Sequence, residues 1–447
     1  MKLTSYLTYG IILIVFTNAQ YILYEVTAFN PHEREVLYYL HIKKTAIVFM
    51  NGVSNEAAIP MDVIVRQDLS KMFEYKLRMF DIQFICVTYI TKEQLAFTGT
   101  TELETNITNA FYDWTGIQSW VDAYNDRNFD KDDITFDKIV IGKTYESRDI
   151  FILKISKGPK RPIAFIVGGE DGKDWLSSAI ILNVMHELLD STSDLSDLLD
   201  LYDFYLLPVL NPDGFVYSRE KNRLWSKNRQ IKQQKFCNGS VAIGVNIDRN
   251  WFLQKTTKMF DEECHSVYMG HKSLSEEETQ TLSYVLNSVA LKMLAFIDLR
   301  GFGRYITLPY AKHTKKANNH DIIMEIMKLA STRVYEKHNG TLYCDTTGSY
   351  FYNFSGNMAD WVKRSLNTPL VFTMYLEDIT TILPMPYQIL PLSKEFYTIL
   401  YESLTISKQM YGPLFNGIDS ELFRHHQVQN LSLIFLQICV LLNFSQY

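Results

Sequence analysis

A chain of 447 residues with 47% hydrophobic and 21% charged residues carries enough apolar material for a large core or for two unequal domains. Its formal charge of -6, without any long basic block, leaves no electrostatic footprint for nucleic acid or an anionic membrane, so neither partner is expected. The first residues carry Lys2, an apolar run at 11–16 and Thr17-Asn18-Ala19, the pattern of a signal peptide cut near Ala19 and Gln20. A membrane span would need about 20 apolar residues. Residues 1–19 therefore read as a signal peptide, and the mature chain as secreted and extracellular.

Residues 20–100 alternate strand-like runs (45–50, 83–88) with helix-like stretches (33–40, 60–72), the pattern of a small α/β sandwich. A polar linker follows at 101–111. From 112 to 415 the strands are legible at 139–142, 149–155, 163–167, 204–209, 293–299 and 370–376, with helices between them at 176–189 and 276–287. Several strands are nearly continuous apolar runs, as required when helices cover both faces. The expected fold is α/β, a mixed central sheet covered by helices on both faces and preceded by the small sandwich. Function is then expected at loops beyond strand ends. Residues 416–447 form a tail whose apolar segment, 431–444, is too short to span a bilayer comfortably and resembles a weak lipid-anchor signal; no transmembrane span is expected. Five cysteines (Cys86, Cys237, Cys264, Cys344, Cys439) and sequons at Asn106, Asn238, Asn339, Asn353 and Asn430 suit a secretory route.

Tyr-Asp-Trp from 112, Ile-Gly-Lys-Thr-Tyr-Glu-Ser-Arg-Asp-Ile (141–150), Leu-Pro-Val-Leu-Asn-Pro-Asp-Gly-Phe (207–215), Leu-Trp-Ser-Lys-Asn-Arg (224–229) and Arg-Asn-Trp (249–251) occur in order. With the blocks at 352–361 and 372–378, they make the chain resemble the zinc carboxypeptidase A/B family over about 112–407, and residues 20–100 resemble that family's activation domain. The resemblance implies a Cys237–Cys264 disulfide, a cleft for peptide C-termini and a metal centre. That centre would need three neutral or anionic ligands, a bound water and a carboxylate base.

Those positions have changed. Trp175 as anchor places Asp171 at the family's histidine ligand and Asp174 at its glutamate ligand. The block ending Leu308-Pro309-Tyr310 places Arg300 at the second histidine, and a guanidinium offers no lone pair to a metal. Asp378 as anchor places Tyr375 at the general base, where a phenol of ordinary pKa about 10 activates water poorly. No metal, cofactor or catalytic residue is expected. Two accounts stand side by side: Arg300 fills the vacated position and pairs with Asp171 and Asp174, each contact gaining about 4 kcal/mol before desolvation, or the three are separately solvated in an open cleft.

The resemblance also implies that Arg249 binds a substrate's terminal carboxylate, Arg229 polarises the scissile carbonyl and Tyr352 covers the pocket. Asp248 replaces an asparagine and would repel a carboxylate; Lys173 replaces an arginine; Ala359 stands at the position that sets side-chain preference and would not favour basic side chains. Arg229 and Arg249 are either residual peptide contacts or internal salt-bridge partners. There is no Lys or Arg from 93 to 126, so tryptic release of the first domain is not expected. His265 reads as a solvated loop residue. The reading is a secreted carboxypeptidase-like pseudoenzyme binding peptide C-termini or a protein partner. One alternative is an active zinc enzyme using Asp171, Asp174 and Glu377; the other is a structural secreted protein.

Overall fold

The alternation over the first hundred residues becomes a four-stranded antiparallel sheet with two helices on one face. A computed structural model describes residues 19–43, 47–49, 59–91, 110–125, 133–158, 161–231, 236–237, 240–252, 263, 266–312, 315–350, 355–377 and 384–412. Residues 1–18 of the segment expected to be a signal peptide, most of the linker, Cys264, His265, Tyr352, Asp378, the tail and every sequon but Asn339 lie outside the described residues. The order along the first domain is β1 (Ala19–Ala28), α1 (Pro31–Lys43), β2 (Ile47–Phe49), β3 (Ile59–Arg66), α2 (Gln67–Met79) and β4 (Gln83–Thr91), with the sheet ordered β2-β3-β1-β4.

The helix expected at 60–72 is corrected: its first half is β3, and the helix begins at Gln67. The cause is Val63-Ile64-Val65, a β-branched run buried on both sides. Val63 and Val65 join Leu37, Leu40, Phe73 and Leu77 beneath the helices. Ile64, with Leu23 and Ile90, packs the opposite face onto Leu224 and Phe302 of the larger domain. Strand periodicity of two thus gives the small sheet two apolar faces, and its second cover is the rest of the protein.

The larger domain continues with α3 (Trp114–Asn125), β5 (Ile134–Lys143), β6 (Asp149–Lys157), β7 (Ile163–Val167), α4 (Trp175–Leu189), β8 (Asp203–Leu207) and α5 (Pro212–Glu220). Two short strands, β9 (Phe236–Cys237) and β10 (Ser240–Val241), form a separate ribbon. Then come α6 (Glu277–Val289), β11 (Met293–Phe302), β12 (Tyr305–Leu308), α7 (His320–His338), β13 (Tyr343–Thr346), α8 (Thr347–Tyr350), α9 (Met358–Leu366), β14 (Leu370–Glu377) and α10 (Ile389–Tyr411). The eight-stranded sheet is ordered β13-β12-β14-β11-β7-β8-β6-β5, and β14, β11, β7 and β8 run parallel.

Alternate residues of these strands feed two cores. Ala164, Ile166, Phe204, Leu206, Ile297 and Phe372 pack beneath α3, α4, α7 and α10. Phe165, Val167, Leu207, Phe296 and Val371 pack beneath α6, α9 and Trp251. All five residues of β7 are buried, which accounts for its unbroken apolar sequence. The expected fold class is therefore the observed one.

The block 141–150 has a structural explanation. Asp213, fully buried on α5, accepts from Thr144 Oγ1 (2.7 Å), the Glu146 N–H (2.9 Å) and Arg148 Nη1 (2.7 Å), and so pins the β5–β6 turn to the core.

Candidate functional site

The parallel strands set the location. From β7 the chain moves to β8 on one side, whereas β11 is followed in the sheet by β14 on the other, so the sheet order reverses between β7 and β11. A crevice forms at the C-terminal ends of strands where connections diverge in this way. Glu170 and Asp171 follow β7, Asp298 and Arg300 lie at the end of β11, and Arg300 is in register with Tyr375 of β14.

Four side chains converge there. Arg300 Nε donates to Asp298 Oδ1 at 2.7 Å, and its Nη2 donates to Asp298 Oδ2 at 2.8 Å and Asp248 Oδ1 at 2.7 Å. The same nitrogen donates to Glu170 Oε2. Glu170 Oε1 accepts from Trp251 Nε1 at 3.0 Å, and Asp298 Oδ2 accepts from Thr373 Oγ1 at 3.3 Å. Carboxylate oxygens of Glu170, Asp248 and Asp298 lie within 4.8 Å of one another, spacing suited to a cation. The cation between them is the guanidinium.

Both expectations for Arg300 are corrected. Its carboxylate partners are Glu170, Asp248 and Asp298, not Asp171 and Asp174, and the group is buried rather than solvated. Asp174 is instead the N-cap of α4: Oδ1 accepts from the Ser177 N–H at 3.1 Å and Oδ2 from the Gly301 N–H at 2.8 Å. A side chain on Gly301 would meet Asp174 Oδ1 at 2.5 Å, so glycine permits that approach. Asp171 turns to Lys173, its Oδ1 accepting the backbone N–H at 3.2 Å and its Oδ2 the Nζ at 2.9 Å; that Nζ also donates to Ser226 Oγ at 2.7 Å.

Burial pulls Arg300 down, but Asp248, Asp298 and Glu170 outweigh it and hold the guanidinium well above its ordinary pKa. Burial pushes Glu170 well above the usual carboxylate range against the pull of Arg300, with Asp248 and Asp298 adding to the rise. Asp298 is also raised by burial against the same arginine. Burial brings Asp174 up to about 6 despite its helix-cap hydrogen bonds. The Tyr375 hydroxyl is raised by burial, which makes it a still poorer base.

Arg249 is committed as well. Its Nη1 donates to Asp248 Oδ2 and, at 3.1 Å, to the Asp248 carbonyl. Arg229 lies over the rings of Tyr217 (3.6 Å) and Trp225 (4.6 Å), with Glu146 Oε1 at 3.8 Å from its Nε. The structure therefore places both arginines in internal contacts. Ala359 is on the buried face of α9. Glu377 ends β14. Cys237 lies in β9, and the pairing expected for it involves Cys264, outside the described residues; Cys86 and Cys344 are free thiols.

Zinc needs lone pairs from ligands that face one point. Here one of the three positions is a guanidinium, Asp174 is turned into a helix cap and Asp171 is paired with Lys173. This donor set does not fit zinc. Glu170 and Asp298, the residues that hold the cation instead, belong to none of the sequence blocks that carry the family resemblance. The available signal was local: Asp298 and Arg300 share a strand face two residues apart, and Glu170 directly precedes Asp171.

Together, a mixed sheet covered by helices on both faces and a charged cluster at its switch point define an open-sheet α/β domain of the carboxypeptidase kind. The chain belongs to the zinc carboxypeptidase family, whose sequence profile matches residues 121–398. It is 28% identical over 282 residues to carboxypeptidase O of Bos taurus, covering 62% of this chain and 72% of that protein. It is also 28% identical to a zinc carboxypeptidase of Simulium vittatum, covering 58% and 83%. Among solved structures, thrombin activatable fibrinolysis inhibitor superposes with a TM-score of 0.75 at 20% identity, covering 87% of this chain and 99% of that one. Carboxypeptidase A from Helicoverpa armigera superposes at 0.73 with 18% identity, covering 87% and 98%. These two likenesses concern the fold.

Proposed function

We propose that this chain is a carboxypeptidase-fold protein that binds a peptide or protein partner without hydrolysing it. The observation that carries the reading is the Arg300 guanidinium held among Glu170, Asp248 and Asp298. A permanent cation among these three carboxylates opposes binding of a dication there, and half-buried Tyr375, its hydroxyl pKa raised by desolvation, supplies no base near neutrality. Fold alone does not carry activity across a family when the site chemistry differs.

The test is zinc content by elemental mass spectrometry after exposure to zinc, paired with release of a C-terminal amino acid from blocked dipeptides. Near-zero zinc and no release are expected. About one tightly held zinc per chain, lost in Asp171→Ala or Asp174→Ala, would establish the alternative of an active enzyme with atypical ligands.

Secretion belongs to the same proposal. Asn339 is an exposed sequon residue at the C-terminus of α7, in a left-handed conformation (φ 56°) open to solvent. Chain secreted from eukaryotic cells should lose mass on treatment with an N-glycosidase. The loss should be smaller by one glycan in Asn339→Gln, and an unchanged loss would remove Asn339 as the acceptor. Among the described residues no helix is long and apolar enough to cross a membrane.

A further inference from the structure

The Asp248 carboxylate is shared between two arginines. Oδ1 accepts from Arg300 Nη2 at 2.7 Å and Oδ2 accepts from Arg249 Nη1. The side chains of Glu170 and Asp298 are 1% and 2% exposed and those of Arg249 and Arg300 5% and 10%, whereas that of Asp248 is 17% exposed. Asp248 is thus the most solvent-exposed member of the network. A guanidinium fork beside a crevice is the chemistry that captures a free carboxylate. In this chain one nitrogen of the Arg249 guanidinium, Nη1, already donates to a carboxylate, supplied by the preceding residue.

We propose that Asp248 acts as an internal carboxylate ligand and is the specificity-determining residue of the crevice, barring partners that present a free C-terminal carboxylate. An incoming carboxylate must displace a tethered one, whose effective concentration is on the order of millimolar or higher. It must also approach Glu170 and Asp298, whose charge Arg300 only partly offsets. The partner is therefore recognised through an internal or blocked segment of polypeptide rather than through its terminus. This deepens the proposed non-hydrolytic binding and rests on it.

The probe pair is N-acetyl-phenylalanine and its C-terminal amide, titrated at millimolar concentration into the full chain and followed by protein NMR. The wild type should show no preference for the acid over the amide. Asp248→Asn keeps the side-chain size, removes one negative charge and releases Arg249; it should bind the acid at least about tenfold better than the amide (about 1.4 kcal/mol). Adding Arg249→Gln should abolish that preference. A wild type that prefers the acid by tenfold overturns the proposal whatever the variants do, and so does a folded Asp248→Asn protein without acid preference. Should Asp248→Asn fail to fold, the wild-type comparison still decides. Release of phenylalanine from a blocked dipeptide by the wild type is a separate readout: it would remove the non-hydrolytic reading and leave the acid–amide comparison to judge Asp248.

Discussion

Removing the Arg300 guanidinium leaves Glu170, Asp248 and Asp298 facing one another across a few ångströms with no cation between them. Breaking a buried ion cluster from one side costs about 3–5 kcal/mol, because the remaining charges stay desolvated. Arg300→Met should therefore lose about that much stability in urea unfolding at pH 8. The deficit should shrink toward pH 5. Burial already holds Glu170 well above its ordinary range, so the stability tied to its protonated form is fully present below the ordinary carboxylate pKa and lost as pH rises through the raised one. Protonation at low pH then relieves repulsion in the variant. Arg300→Lys, which keeps the charge but loses the fork, should fall between. An equal deficit at both pH values would show that repulsion among the carboxylates is not the cause. The sequence made Arg300 legible as a replacement for a metal ligand, but not its partners. Side-chain direction at the end of β11 and the approach of Asp174 to Gly301 are three-dimensional facts, and sequence spacing alone favoured Asp171 and Asp174.

At the scale of elements, α4 begins at Asp174 because its carboxylate caps Ser177 and ties Gly301 of β11 to the helix start. Asp174→Ala should cost about 1–2 kcal/mol as a lost cap and leave metal content unchanged; a fall in metal content would restore it as a ligand. The start of α6 carries a second buried acid. Glu278 Oε2 accepts from Asn228 Nδ2 at 3.1 Å, and the same amide donates to Glu276 Oε2 at 2.9 Å. Burial raises the Glu278 carboxyl to about 8. The contribution of the protonated acid is fully present below its ordinary pKa and lost as pH rises through about 8, at up to about 1.4 kcal/mol per pH unit. Glu278→Gln titrates in neither state, so its stability relative to wild type should rise by on the order of a few kcal/mol between pH 5 and 8.5. Parallel stability curves would refute the buried-acid account. Long, strongly patterned elements such as β7 and α4 were legible because burial imposes an unbroken apolar run. Residues 60–72 read as one helix in the sequence because a doubly buried strand of β-branched residues followed directly by a helix leaves no polar alternation to mark the change.

At the scale of the whole molecule, the small domain is joined to the large one by packing as well as by sequence. Leu23, Ile64 and Ile90 are 0%, 0% and 2% exposed, and their cover includes Leu224 and Phe302, the latter two residues beyond Arg300 on β11. Val267, Met269 and Ala311 of the large domain also join the small domain's core. Releasing the small domain would expose these apolar surfaces at about 25 cal/mol per Å², so cutting the linker should not separate the two parts. Trypsin has no site from 93 to 126, so the experiment needs a specific protease sequence placed within 101–109. After complete cutting, the fragments should co-elute in gel filtration under native conditions and separate in urea. Ile64→Asp, which buries a charge against Leu224 and Phe302, should allow separation without denaturant, provided circular dichroism shows that the large domain remains folded. If the cut wild type separates spontaneously, covalent linkage rather than this apolar packing is what keeps the small domain against Leu224 and Phe302.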